Sequence, residues 1–303
     1  MSSREVLPSW NAGAAKAAIL DFVESVTRSG RFYVPPGERI ATFDNDGTLW
    51  CEKPEYAQVE MIFRRWKAMA EADPALVTEQ PYRAAVEGDR AWFATLTEQT
   101  PDLLKDLAEA YDGYTVDAFE GAVQEFFAGA THPTLGVPYT KLGYRPMREL
   151  LDLLDTHDFL VFICSGGGRD FIRPVSEQMY GIPRERVIGT AAKVEYRDGD
   201  LYHTADLEQP LDDGPGKPEH IWMRTGRRPL LACGNADGDV PMLESAGFSI
   251  LIRHDDGERE FRYDTHAENA IAAANARGWT VVSMKDDFAT VFAGAGGHRQ
   301  ASG

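Results

Sequence analysis

Cysteine is scarce in this chain: Cys51, Cys164 and Cys233 are the only three in 303 residues. They form no CxxC pair, and an odd number cannot all be joined within one chain, so reduced thiols in the cytoplasm are expected. Long apolar runs are also missing. No stretch approaches the roughly 20 consecutive apolar residues of a membrane-spanning helix. The opening "MSSREVLPSWNAGAAKAAILDFVESV" carries an early Glu5 and an amphipathic run in place of a continuous apolar one, which predicts no secretory signal. Basic charge is in deficit as well. Lys and Arg number 31 against 48 Asp and Glu, for a formal net charge of -17. That balance argues against nucleic acid or an anionic membrane as partner. A small anionic substrate remains compatible with it, because such a ligand responds to a local field and a bound cation.

What is present is an ordinary globular composition, 43% hydrophobic and 26% charged, long enough to bury a full core. The apolar spacing of "AAKAAILDFVESVT" predicts a helix, and "RIATF" a first buried strand. From about Glu55 to Tyr139 the pattern is helical throughout: "YAQVEMIFRRWKAMAEA", "PYRAAVEGDRAWFATLTEQ", "PDLLKDLAEAYDG" and "VDAFEGAVQEFFAGA". The aromatics there, Phe63, Trp66, Trp92, Phe93, Phe126 and Phe127, are read as that segment's own core, and Arg64, Arg65, Arg83 and Arg90 mostly as a solvated face. Beyond it strands and helices alternate. "RPMRELLDLLDTHD" reads as a helix, "FLVFICSGGG" as a strand entering a Gly turn, and "RDFIRPVSEQMYG" as a helix broken or started at Pro174. "AAKVEYRDGDLYHTA" carries a hairpin signal, "PEHIWMRTG" and "PMLESAG" read as helices, and "PLLACGNADGD", "FSILIRHDD" and "WTVVSM" as strands. The tail "AGAGGHRQASG" is expected to fray. Such alternation predicts an α/β fold with a Rossmann-like, doubly wound, mostly parallel sheet covered on both faces. It divides into a core from residues 1–50 and 144–303 and an inserted all-helical cap at 51–143.

Three predicted strands end in polar turns, at Asp44–Thr48, Ser165–Gly168 and Gly234–Asp239. Open α/β sheets carry their chemistry at such carboxyl ends. In "ATFDNDGTLW" two aspartates stand one residue apart at the end of a buried strand, and such a pair repels itself unless a cation, a shared proton or water separates the charges.

In order along the chain, "DNDGT", "FICSGGG", Lys217 in "GPGKPEH" and "GNADGDVPML" resemble the haloacid dehalogenase superfamily. Within it they are most similar to the phosphoserine-phosphatase-like phosphatases. The resemblance implies a Mg²⁺-dependent phosphomonoester hydrolase working on a small phosphorylated metabolite through an aspartyl-phosphate. It implies Asp44 as nucleophile, Asp46 as acid and base, and Lys217 offsetting charge. It also implies Ser165, Gly166, Gly167 and Thr48 on the phosphoryl group, and Asp44, Asp46, Asn235 and Asp239 around Mg²⁺. The chemistry suits the residues, since an anionic ester resists a carboxylate nucleophile unless a cation screens the approach.

Two departures stand out. Asn235 occupies a place more usually held by a metal-binding aspartate, leaving Asp237 a weaker candidate beside Asp239. Glu52 falls one residue early, with Lys53 where a glutamate would meet the ammonium of phosphoserine, which puts that substrate in doubt. A dehalogenase would leave Asp46 without a task. A phosphotransferase would use the same residues, and a non-catalytic phosphometabolite-binding protein is the alternative from another class. Taken singly, the motifs have plainer readings: "DNDGT" as an Asx turn, "SGGG" as a flexible turn, Lys217 as a surface lysine. The cysteines read as small buried hydrophobes rather than nucleophiles, and His254 as a solvated loop residue.

Overall fold

In the computed structural model, which describes residues 6–92 and 100–292, six parallel strands form one sheet in the order β3-β2-β1-β6-β7-β8. They are β1 (Ile40–Phe43), β2 (Leu160–Gly168), β3 (Val187–Thr190), β6 (Leu231–Gly234), β7 (Phe248–Arg253) and β8 (Thr280–Ser283). Their pairing is parallel throughout, with Phe43 opposite Ile163 on one side and Cys233 on the other. Side-chain alternation splits these strands between two cores. Ala41, Phe43, Val161, Ile163, Leu231, Cys233, Ile250 and Ile252 face one, and Ile40, Phe162, Cys164, Ala232 and Leu251 face the other. Both faces are therefore apolar, as a sheet covered by helices on each side requires.

The first face is covered by α1 (Ala14–Thr27) and α6 (Arg145–Thr156), which bury Ile19, Val23, Leu150 and Leu154 in the same core. The second is covered by α8 (Gly216–Thr225), α9 (Val240–Ser245) and α10 (Glu268–Arg277) through Ile221, Met242, Leu243, Ala270 and Ala274. Two of these elements carry no sequence signal. Strand β3 has four residues buried on both sides, too short to display a period. Helix α10 is alanine-rich and buries small residues only.

Helix α7 (Arg169–Tyr180) runs unbroken through Pro174, where a break or a start was expected. A proline inside a helix costs about 3 kcal/mol. Phe171, Ile172 and Val175 are buried around it, and burial of each contributes roughly 1.5–3 kcal/mol, enough to carry the helix past the lost bond. The expected hairpin is β4 (Ala192–Arg197) paired antiparallel with β5 (Asp200–Leu207). It turns at Asp198 and Gly199, both at positive φ, as a two-residue turn of this hand demands.

Between β1 and α6 lie α2 (Ala57–Ala72), α3 (Tyr82–Glu87), α4 (Thr100–Ala110) and α5 (Val116–Gly129). The second predicted helix of this segment is interrupted at Gly88, at φ +71, and helical backbone resumes at residues 90–92. Phe93 and the end of that helix, like the C-terminal tail, lie outside the described residues. Phe63, Trp66, Phe126 and Phe127 are buried as expected, but in the first core, shared with the sheet, and not in a separate core of the segment. The chain entering the segment pairs with the chain leaving it: Cys51 donates its N–H to Leu142 O at 3.1 Å and Tyr144 to Leu49 O at 2.8 Å. Hairpin β4–β5 holds the far side, where His203 N–H reaches Tyr114 O at 2.8 Å and Gly113 N–H reaches His203 O at 2.9 Å. No helix among the described residues is long and apolar enough to cross a membrane.

Candidate active site

The order of the sheet reverses at β1, with β2 to one side and β6 to the other, and the three polar turns meet at their carboxyl ends. Such a reversal opens a crevice between loops that leave in opposite directions. A cavity of about 310 Å³ lies there, lined among others by Asp44, Asp46, Ser165, Gly166, Gly167, Lys217 and Asp239.

The turn after β1 is closed by its own backbone. Asn45 O accepts the N–H of Leu49 at 2.8 Å, and Gly47 N–H reaches Trp50 O at 2.9 Å. Gly47 sits at φ +76, and a Cβ there would fall into the amide of Asn235. Glycine is required on both counts. Folding back in this way brings the Trp50 indole N–H to Asp46 Oδ1 at 2.8 Å. Burial first, and the charge of Glu52 second, push the Asp46 carboxyl up to about 6.

Lys217 is 2% exposed, not a surface lysine. Its Nζ donates to Asp44 Oδ1 at 2.7 Å, Asp239 Oδ1 at 2.6 Å and Cys164 O at 3.0 Å. Burial works against the ammonium, but Asp239 and Asp44 outweigh it and hold its pKa well above that of an ordinary lysine. Asp44 is driven upward by burial and then by Asp239, with Lys217 opposing. One lysine does not neutralise this group of carboxylates.

Asp239 has no free oxygen, since Oδ2 accepts the N–H groups of Asn235 and Ala236 at 2.9 and 3.0 Å. Asp237 turns away to cap α10, accepting Ala270 N–H and Asn269 Nδ2 at 2.8 Å each. Thr48, expected on the phosphoryl group, is fully buried and absent from the cavity wall. Its hydroxyl donates to Asn235 Oδ1 at 3.0 Å. Of the four residues expected around Mg²⁺, Asp44 keeps an oxygen, Oδ2, with no hydrogen-bond partner among the described residues. Among those residues no three His, Cys, Asp or Glu side chains form a ready-made metal cluster. The donors facing the cavity here are nevertheless oxygens, and Mg²⁺ typically binds through one or two carboxylates completed by waters and substrate phosphate. The set fits such a cation.

Across the cavity Ser165 Oγ accepts Gly167 N–H at 3.1 Å, and Gly168 N–H is taken by Gln58 Oε1 of α2 at 2.8 Å. The helical segment thus reaches the glycine turn directly. Two further residues escaped the sequence reading. Trp50 orients Asp46, and its only signal was its place at the end of the first motif. His254, expected in solvent, is 4% exposed. Its Nε2 meets Gly47 O at 2.8 Å, its Nδ1 meets Glu260 Oε2 at 3.2 Å, and its ring stacks on Tyr263. Tertiary contacts bury it, and no local pattern announces them. The three cysteines are buried, and burial raises each thiol's pKa, which removes them as nucleophiles. Arg64 and Arg90 pair with Glu60, and Arg90 also with Glu55.

The haloacid dehalogenase-like hydrolase family matches residues 41–244, more than half of the chain. A search of curated proteins finds no match. Among solved structures the chain is similar to a functionally unknown protein from Anaerococcus prevotii DSM 20548, with TM-score 0.59, 13% identity, and coverage of 92% of this chain and 94% of that one. It is also similar to a protein of unknown function from Bordetella pertussis Tohama I, with TM-score 0.52, 16% identity, and coverage of 81% and 98%. A phosphoserine phosphohydrolase-like protein from Francisella tularensis aligns at TM-score 0.43 and 18% identity, over 79% and 99% of the two chains. With the family matched from strand β1 to the helix after the last polar turn, the chain belongs to the haloacid dehalogenase-like hydrolases.

Proposed function

We propose that this hydrolase is a Mg²⁺-dependent phosphomonoesterase of a small phosphorylated metabolite, acting through an aspartyl-phosphate on Asp44. The observation that carries the reading is Lys217 bridging Asp44 and Asp239 at 2.7 and 2.6 Å, and reaching Cys164 O at 3.0 Å, next to Ser165 and its glycines. A carboxylate held this way has a fixed direction, an oxygen left for attack and a cation beside it. Asp44 would attack phosphorus, and Asp46, with a pKa near 6, would protonate the departing alcohol and later take a proton from water. Ser165 and the N–H groups of Gly166 and Gly167 would meet phosphoryl oxygens once the Ser165–Gly167 bond gives way. Lys217 would offset the charge gathering between nucleophile and phosphate. Mg²⁺, held by Asp44 and completed by water and substrate oxygens, would supply the remaining positive charge. The segment at 51–143 would act as a cap that excludes water, with Gln58 its contact to the glycine turn.

The test is hydrolysis of 4-nitrophenyl phosphate with and without Mg²⁺, by the wild type and by Asp44→Asn. Loss of at least ~10³-fold in the folded variant, and dependence of the wild type on the cation, are expected. Near wild-type turnover by Asp44→Asn would rule out the covalent route.

A further inference from the structure

Among the described residues the cavity wall carries one lysine, no arginine and six acidic residues. Asp44, Asp46, Glu52, Asp213, Asp237 and Asp239 line it against Lys217, with the Asp237 carboxylate turned to α10, and Lys217 is already bound to Asp44 and Asp239. Glu52 is 6% exposed, and Asp213 lies over Gly166 and Gly238. Tyr56, Gln58 and His266 also line the cavity, and its apolar part is Val59 from α2, Leu104 and Leu107 from α4, and Phe171 and Ile172 from α7. A small cavity of about 30 Å³ continues past Gln58, Leu104, Leu107 and Phe171, where Ala108, Tyr111, Phe119, Ala191 and Leu207 extend the apolar surface.

Nearby cations are committed elsewhere. Lys53 lies off the cavity wall, over the Tyr263 ring at 4.6 Å and 3.9 Å from Glu52. Arg169 pairs with Asp170 and Glu208, and Arg173 with Asp170. Residues 93–103 contain no lysine or arginine at all.

Resting on the phosphomonoesterase reading, we infer that the leaving-group end of this site selects phosphate esters of alcohols with a hydrocarbon body and no second anionic group. The phosphoryl group has Lys217, the glycine turn and a divalent cation to receive it. A carboxylate or second phosphate carried by the alcohol would meet apolar side chains, Glu52 and Asp213, and would lose its hydration with no lysine or arginine to receive it. A hydrocarbon chain would exchange water for the α4 and α7 side chains and gain from the exchange. A missing partner for a buried charge discriminates far more sharply than a small difference in size. Val59, Leu104, Leu107 and Phe171 are specificity-determining residues in this scheme, and Glu52 and Asp213 are the repelling ones.

The experiment compares hexyl phosphate with its ω-carboxylate analogue, 6-phosphonooxyhexanoate, which differ only in the terminal group, beside 4-nitrophenyl phosphate as the reference ester. With Mg²⁺ present, kcat/KM for hexyl phosphate should exceed that for the carboxylate by at least ~10-fold. In Leu107→Lys, which sets a cation in the apolar wall, the ratio should fall several-fold towards unity. Turnover of the reference ester with an equal or reversed ratio in the wild type would overturn the inference alone. Inertness towards all three esters would overturn the phosphomonoesterase reading beneath it. A ratio unchanged in folded Leu107→Lys would place the alcohol elsewhere and would also sink the inference.

Discussion

Asp46 owes its carboxyl near pH 6 to burial and to Glu52, against the hydrogen bond from Trp50. In the proposed reaction its protonated form is the one that helps a poor leaving group depart. For alkyl phosphates the rate should therefore fall as pH rises through this pKa, because the acid is lost. Asp46→Asn should cost alkyl phosphates ~10²–10⁴-fold and 4-nitrophenyl phosphate much less, since nitrophenolate leaves without a proton. Parallel kcat measurements on both esters check this, and equal losses would remove Asp46 from the acid role. His254 acts one layer behind. Its removal in His254→Ala leaves Gly47 O and the buried Glu260 each short of a partner. The expected destabilisation is about 2 kcal/mol, read by urea unfolding, with a drop in kcat because the turn bearing Asp46 loses its support. An unchanged unfolding midpoint would show that water replaces the imidazole.

At the scale of elements, two acidic residues of one turn serve different structures. Asp239 binds Lys217 and the turn's own N–H groups, whereas Asp237 caps α10 from 33 residues away in sequence. Asp237→Ala should therefore cost about 1 kcal/mol of stability, as loss of a helix cap does, and leave the Mg²⁺ requirement where it was. Thermal unfolding and a Mg²⁺ titration of activity separate the two effects. A raised half-saturating Mg²⁺ concentration would return Asp237 to the metal site. Neither role follows from "GNADGD" read alone, because the two aspartates are alike locally and differ only in what packs against each.

Over the whole molecule a net charge of -17 sets like charges against one another in the folded state. Screening tightens from about 30 Å at 0.01 M salt to about 8 Å at 0.15 M. Adding NaCl over that range should raise Tm by ~1–2 °C, about 1 kcal/mol for a chain of this size. A fall in Tm would mean that the ion pairs are worth more than the repulsion. The sequence by itself determined the parallel α/β sheet, the helical segment after its first strand and the three polar turns, because strand and helix periods and turn residues act over a few neighbours. It also carried the order of motifs that led to the family. Tertiary structure alone decided that β3 pairs at the edge, that α7 passes through Pro174, and that His254 and Lys217 are buried. It likewise decided that Thr48 and Asp237 are spent on Asn235 and α10, and that Lys217 is the one lysine or arginine on the cavity wall among the described residues. Each of these depends on which distant groups exclude water from a residue or pair with its charge, and that is settled only when the chain has closed on itself.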